Sequence, residues 1–267
     1  MKPPRHLETK FRKELGSISP YLSLIDIASK ELIEHNDRSK ISELSKRYGH
    51  KRLAVNHLDF NEIPLFVHLS HLAFIHSKAE KFCDEYKEHH KAIHQDKSSP
   101  NLKELDKLRR IIFHLHALKC NEPLTVRTIS DDVYSNYAGE VELIIYDYYR
   151  RIRNIEFHGG LDRSELKAFS DLENKSIYEK YGYIPQKPEN LSIRDVILYS
   201  KTWQSIAVNL CKNMVDLMPI IHELCTKYKE SSEQRRDRAI SNKLRTDYLQ
   251  NEHDISKLRI QTNGWVA

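Results

Sequence analysis

The run Arg153-Asn154-Ile155-Glu156-Phe157-His158-Gly159 holds three side chains suited to phosphodiester chemistry. A histidine moves protons near neutral pH. An arginine offers a planar fork to phosphate oxygens. An asparagine can orient either the imidazole or a phosphate. RNA brings its own nucleophile, the 2′-hydroxyl, so a base, an acid and a cation make a plausible catalytic set. Asn154 and His158 are four residues apart and share a helix face. Arg153 is five residues from His158, about 140° around an ideal helix, so one copy of the run presents its groups imperfectly to a single phosphate.

The residues just before the run read as an RNA-binding extension. Tyr146, Tyr148 and Tyr149 stand beside Arg150 and Arg151, and single strands are bound by aromatics that stack on bases beside cations that pair with phosphates. Tyr149, Arg150, Arg151 and Asp147 form the expected RNA-binding set. Tyr148 fits a core or interface position better, and Asp147 is placed to fix an arginine.

Other clusters carry less. His90 and His94 have the i, i+4 spacing of a metal pair with His89 beside them, but no further ligand completes the set, and no metal or other cofactor is expected. His68, His71, His76, His114 and His116 sit on otherwise apolar helices and read as hydrogen-bonded core-border residues. Phosphate-binding glycine loops and the common metalloprotease and hydrolase signatures are absent from the sequence.

The elements that carry these residues read as helices. Only 7 glycines and 9 prolines in 267 residues argue against a sheet-rich fold. A helix opens at Ser19-Pro20, and a second runs from about Ser39 to Tyr48, stopped by Gly49. An apolar stripe starting at Pro64 continues for about six turns to Tyr86, and a further stripe covers 102–118. Residues 123–139 read as a connector with one short helix near 125–134. The helix bearing the run starts near Gly139 and stops at Gly159-Gly160. Residues 161–191 read as a polar insert. A long helix is expected over 192–228 with a kink at Pro219, and after Tyr228 the apolar stripe fades into mixed charge.

A net charge of +5 permits contact with phosphates without requiring it. Cys83, Cys120, Cys211 and Cys225 form no C-x-x-C pair and read as free thiols in a reducing compartment. No stretch is apolar enough to span a bilayer, and the N-terminus lacks a signal-peptide pattern; a cytoplasmic protein is expected.

The Arg153-Asn154-x-x-x-His158 run, lying at the end of the third of four long helices, resembles the signature of the HEPN superfamily of four-helix bundles, which includes many RNases of toxin and antiviral systems. The resemblance covers about residues 64–228. Two features depart from those toxins: Gly160 stands where they often have a tyrosine, and the connection after it is longer. The resemblance implies an all-α, HEPN-like bundle over 61–228 with the insert 161–191. An N-terminal helical arm (1–60) would precede it, and a charged C-terminal helix or tail (229–267) would follow. It further implies a metal-independent RNA endonuclease of toxin or abortive-infection type, with Arg153, Asn154 and His158 catalytic. The enzyme would act as a homodimer with RNA as partner, with an antitoxin or defence-system component beside it, and without a membrane. A different class remains open: a non-catalytic HEPN-like module that binds RNA, nucleotide or a protein. A helix-turn-helix over 37–58 is a third, weaker reading.

Overall fold

A computed structural model describes residues 3–35, 37–50, 58–90, 105–120, 129–158, 166–262 and 264–265, apart from the side chain of residue 158. Among these the secondary structure is entirely helical, without a strand. The helices are α1 (Pro4–Gly16), α2 (Ser19–His35), α3 (Arg38–Arg47), α4 (Ile63–His89), α5 (Lys107–Lys119), α6 (Asp131–Ala138), α7 (Glu140–His158), α8 (Asp171–Tyr181), α9 (Ile193–Lys212), α10 (Leu217–Lys227), α11 (Glu233–Tyr248) and α12 (Glu252–Gln261). Single 3₁₀ turns occupy Phe60–Glu62 and Pro188–Asn190.

Helix ends follow from local chemistry. Asp37, Asp106, Ser170, Asp216 and Asn251 each accept a first-turn backbone N–H through the side chain, meeting donors that a helix start leaves orphaned. Gly139 separates α6 from α7 at a φ of 96°, a backbone setting that L side chains rarely adopt. A Cβ there would also collide with the Glu142 carboxylate.

The chain divides into two compact units. The first comprises residues 1–14, 78–143 and 202–267. Leu7 and Phe11 of α1 are buried there, and the Phe11 and Phe82 rings lie 4.7 Å apart. Tyr86 is buried and donates its hydroxyl to the Leu210 carbonyl at 2.9 Å. A second cluster in this unit joins Leu217, Ile221 and Leu224 of α10 with Ile240, Leu244, Ile255 and Trp265. Trp265 Nε1 donates to Asp237 at 2.6 Å, and Arg259 pairs with the same carboxylate. Residues beyond 228, read from the sequence as a charged helix or tail, thus form two packed helices. One apolar residue per turn or fewer is enough when the helices are short and α10 supplies the opposing face.

The other unit comprises residues 15–77 and 144–201. His76 accepts or donates at Tyr199 Oη (2.7 Å), and its ring lies parallel to those of Tyr146 and Tyr199. His68 places Nε2 3.1 Å from Asp26 Oδ1 and Nδ1 3.0 Å from the Leu191 carbonyl, so both ring nitrogens meet acceptors. Asp26 also accepts from Lys30 at 2.7 Å. Helix α2 is inverted in consequence. Its buried residues are Asp26 and Ser29, while Tyr21, Leu24 and Ile27 are 68%, 63% and 56% exposed.

The helix predicted over 192–228 is two helices, and the break falls at 213–216, upstream of Pro219. Asp216 caps α10, so Pro219 lies in its first turn, where a missing N–H forfeits no intrahelical bond. The short helix expected near 125–134 is α6, shifted toward Gly139, and residues 121–128 lie outside those described. The segment 161–191 contains α8, which carries a capping box between Ser170 and Glu173 and ends at Gly182 in the left-handed region.

Candidate functional site

Helix α7 carries the Arg-Asn-His run as its last turns. Glu140 and Glu142 in its first turn complement the positive end of the helix dipole. Ile145, Tyr149 and Ile152, at i, i+4 and i+7, are fully buried and anchor the helix. Asp147, Arg150 and Asn154 lie along one partly exposed flank, and the i+4 step from Asn154 brings position 158 to the same face.

Arg153 and Asn154 are joined directly: Arg153 Nη1 donates to Asn154 Oδ1 at 3.1 Å. Arg153 Nε is buried and has no hydrogen-bond partner among the described residues. A buried donor on a cation costs free energy until an acceptor reaches it. The pair therefore offers one unmet guanidinium donor, and the Asn154 amide is oriented by its own oxygen. His158 is the last residue of α7; its side chain, with Gly159 and Gly160, lies outside the described residues.

The flanking residues divide into two groups. Arg150 Nη2 lies 3.4 Å from Asp147 Oδ1, and its guanidinium sits 5.8 Å from the Tyr146 ring centre. Asp147 thus fixes Arg150, and Arg151 is exposed. Tyr149 does not belong with them. It is fully buried and donates its hydroxyl to Asp195 Oδ1 at 2.8 Å, so no base can stack on its ring. Burial and the Asp195 carboxylate hold its phenol protonated, well above the ordinary tyrosine range. In a run of three tyrosines, sequence alone does not set which one faces inward. Tyr148 is buried as well, donating to the Gln186 carbonyl at 2.6 Å and packing against Phe169.

Sequence reasoning missed Asp195, the centre that holds this end of α7 in place. Its carboxylate is wholly buried. Oδ1 accepts from Tyr149 Oη and the Gln186 backbone, both at 2.8 Å. Oδ2 accepts from Tyr183 Oη at 2.8 Å, and from the Ser192 backbone and hydroxyl, both at 2.9 Å. Burial raises the Tyr183 phenol to about 12, with the Asp195 contact adding to it and Ser192 opposing. The readable signal was Ser192-x-x-Asp195 at the start of an apolar helix, a capping-box spacing.

The histidines on α4 serve the packing of their own unit. Burial and the neighbouring His68 hold His71 below the ordinary imidazole range, against the pull of Asp26. Among the described residues no three His, Cys, Asp or Glu side chains gather as a metal-ligand set, and His94 lies outside them. The proposed helix-turn-helix over 37–58 is described only as α3 and its flanks, because 51–57 lie outside. No described helix is long and apolar enough to cross a membrane. No family model, curated protein or solved structure matches the chain.

Proposed function

We propose that this chain is a metal-independent RNA endonuclease of the HEPN type, with Arg153, Asn154 and His158 as its catalytic set. The observation that carries the reading is the half-buried Arg153 guanidinium, held by Asn154 and left with an unmet Nε donor. Nε is covered in this conformation; a phosphate oxygen that reached it would supply the acceptor it lacks and the charge that the guanidinium faces. Arg150 and Arg151 extend the cationic flank toward neighbouring phosphates. The all-helical architecture accords with a HEPN-like bundle.

In this mechanism His158 removes the proton of a 2′-hydroxyl, whose oxygen attacks the adjacent phosphorus. The bond to the 5′-oxygen breaks, and that oxygen takes a proton from an imidazolium. The products are a 2′,3′-cyclic phosphate and a 5′-hydroxyl. A C₂ homodimer that faces two copies of the run across one groove overcomes the 140° spread of a single copy and supplies both base and acid. The proposed setting is a toxin or antiviral effector that cuts host or phage RNA.

The test is cleavage of end-labelled single-stranded RNA. His158→Ala and Arg153→Ala each abolish cleavage, EDTA leaves it intact, and mixing the two variants restores part of it. Inhibition by EDTA that added metal reverses overturns the histidine mechanism. Full activity of His158→Ala overturns the assignment, and RNA binding without any cleavage by the wild type favours the non-catalytic module.

A further inference from the structure

The first unit contains a groove of about 780 Å³, bounded by the ends of α5 and α9, the start of α10 and one face of α12. That volume falls within the range of small-molecule sites, roughly 300–1,000 Å³. It lies wholly in the unit that does not contain the Arg153 run.

Its charges are unevenly satisfied. Lys212 is paired with Asp254 at 3.1 Å, and that carboxylate also closes the capping box of α12. Asp216 caps α10 by accepting from Met218 N at 3.0 Å. Among the described residues the two remaining lysines have no such partner. Lys119 Nζ contacts neutral groups among the described residues, donating to Asn213 Oδ1 at 3.2 Å and standing 4.9 Å from the Tyr137 ring centre. Lys257 is exposed on α12, with no carboxylate within ion-pair distance among the described residues. Burial lowers the Lys119 ammonium from its ordinary range, with Asp216 opposing, as expected of a partly desolvated cation with no anion in contact.

The apolar side of the groove is also open. Leu118 is 55% exposed and Met218 45% exposed, and Leu115 and Leu258 continue the wall. Among the described residues no Phe, Tyr or Trp lines it and His90 supplies the single ring, so a nucleobase would find little stacking surface. Aliphatic walls beside unpaired ammonium groups match a flexible alkyl chain that ends in an anion.

We propose that this groove is a binding site for an aliphatic anion, an unbranched chain whose carboxylate or phosphate head is held by Lys119 and Lys257 while its tail lies on Leu118 and Met218. Head and tail are both needed: the lysines give charge and orientation, and the leucine and methionine surfaces give the area removed from water.

Calorimetric titration of the full chain with decanoate, decyl phosphate, decanol and AMP tests this. Decanoate or decyl phosphate binds saturably at low salt, and whichever binds more tightly identifies the head group. Decanol binds at least tenfold more weakly, and AMP does not bind. Lys119→Met weakens the anion about tenfold and leaves decanol unchanged, whereas Leu118→Asp weakens both. If Lys119→Met fails to fold, the exposed Lys257→Met provides the same comparison. Equal affinity for decanoate and decanol overturns the proposal, as does tight binding of AMP or an anion affinity indifferent to either lysine.

Discussion

Replacing Asp195 with asparagine is the most direct test of how the motif helix is held. The carboxylate accepts five hydrogen bonds, two at Oδ1 and three at Oδ2. Asparagine keeps the shape but turns one of the two oxygens into an NH₂ group. Whichever way the amide settles, at least two donors lose their acceptor and meet a donor instead. A buried donor left unsatisfied costs about 1–3 kcal/mol, so two orphaned donors predict a loss of about 2–6 kcal/mol. For a chain of this size that corresponds to a fall in Tm of roughly 4–24 °C. The assay is urea and thermal unfolding followed by circular dichroism. Tyr149→Phe is the internal control, since it removes one donor and leaves the carboxylate whole, at about 1 kcal/mol. If D195N unfolds within about 0.5 kcal/mol of wild type, a typical surface effect, the carboxylate does not hold these donors as described.

Asp26 gives a pH dependence. Burial pushes its carboxyl up, but hydrogen bonds and charge from Lys30 and His68 outweigh that and hold it below its ordinary value of 3.8. Its contribution is therefore full above that value and is lost as pH falls through the depressed folded value. Asp26→Asn should be less stable than wild type at pH 7, and the two should converge in acid unfolding. Cys83 and Cys211 are buried, and burial raises both thiols far above the ordinary range; mass spectrometry after native iodoacetamide treatment should find label on Cys120 and Cys225 before either. Ile240→Ala should cost about 2–5 kcal/mol by opening the cluster around Trp265, read as a lower urea midpoint. Gly139→Ala should destabilise by about 2 kcal/mol or more, because the added methyl meets both a positive φ and the Glu142 carboxylate.

Helices with dense stripes were legible. The 64–86 stripe and the Tyr-rich helix ending at His158 correspond to α4 and α7, because their apolar residues recur every turn and glycine or proline punctuates their ends. Helix α1 escaped notice because Leu7, Phe11 and Leu15 are its only buried large apolar side chains, too few to stand out from a charged background. The C-terminal helices were obscured for the same reason. Pro219 misled because a proline in a helix-like stretch signals either an interior kink or a harmless first turn, and only the Asp216 cap decides between them. At the site, the types and spacing of Arg153 and Asn154 were readable, and their contact follows from adjacency. The burial of Tyr149 was not, because its partner lies 46 residues away, on a helix whose register the sequence leaves free.

The inverted face of α2 gives that helix an unusual tolerance. Most helices are kept in rotational register by a broad oily stripe, which accepts small slips because neighbouring apolar groups substitute for one another. Here the inward contact is the hydrogen bond between Asp26 and His68, and a turn of one residue, about 100°, would swing the carboxylate away and leave the imidazole without its partner. Orientation is thus set by a few polar atoms, while the outward Tyr21, Leu24 and Ile27 contribute little to it. Mutational tolerance on α2 should run opposite to hydropathy. Glutamate or lysine at positions 21, 24 and 27 should be accepted and make the protein more soluble, whereas leucine at position 26, which raises the apparent amphipathicity of the segment, should leave the helix without a fixed azimuth.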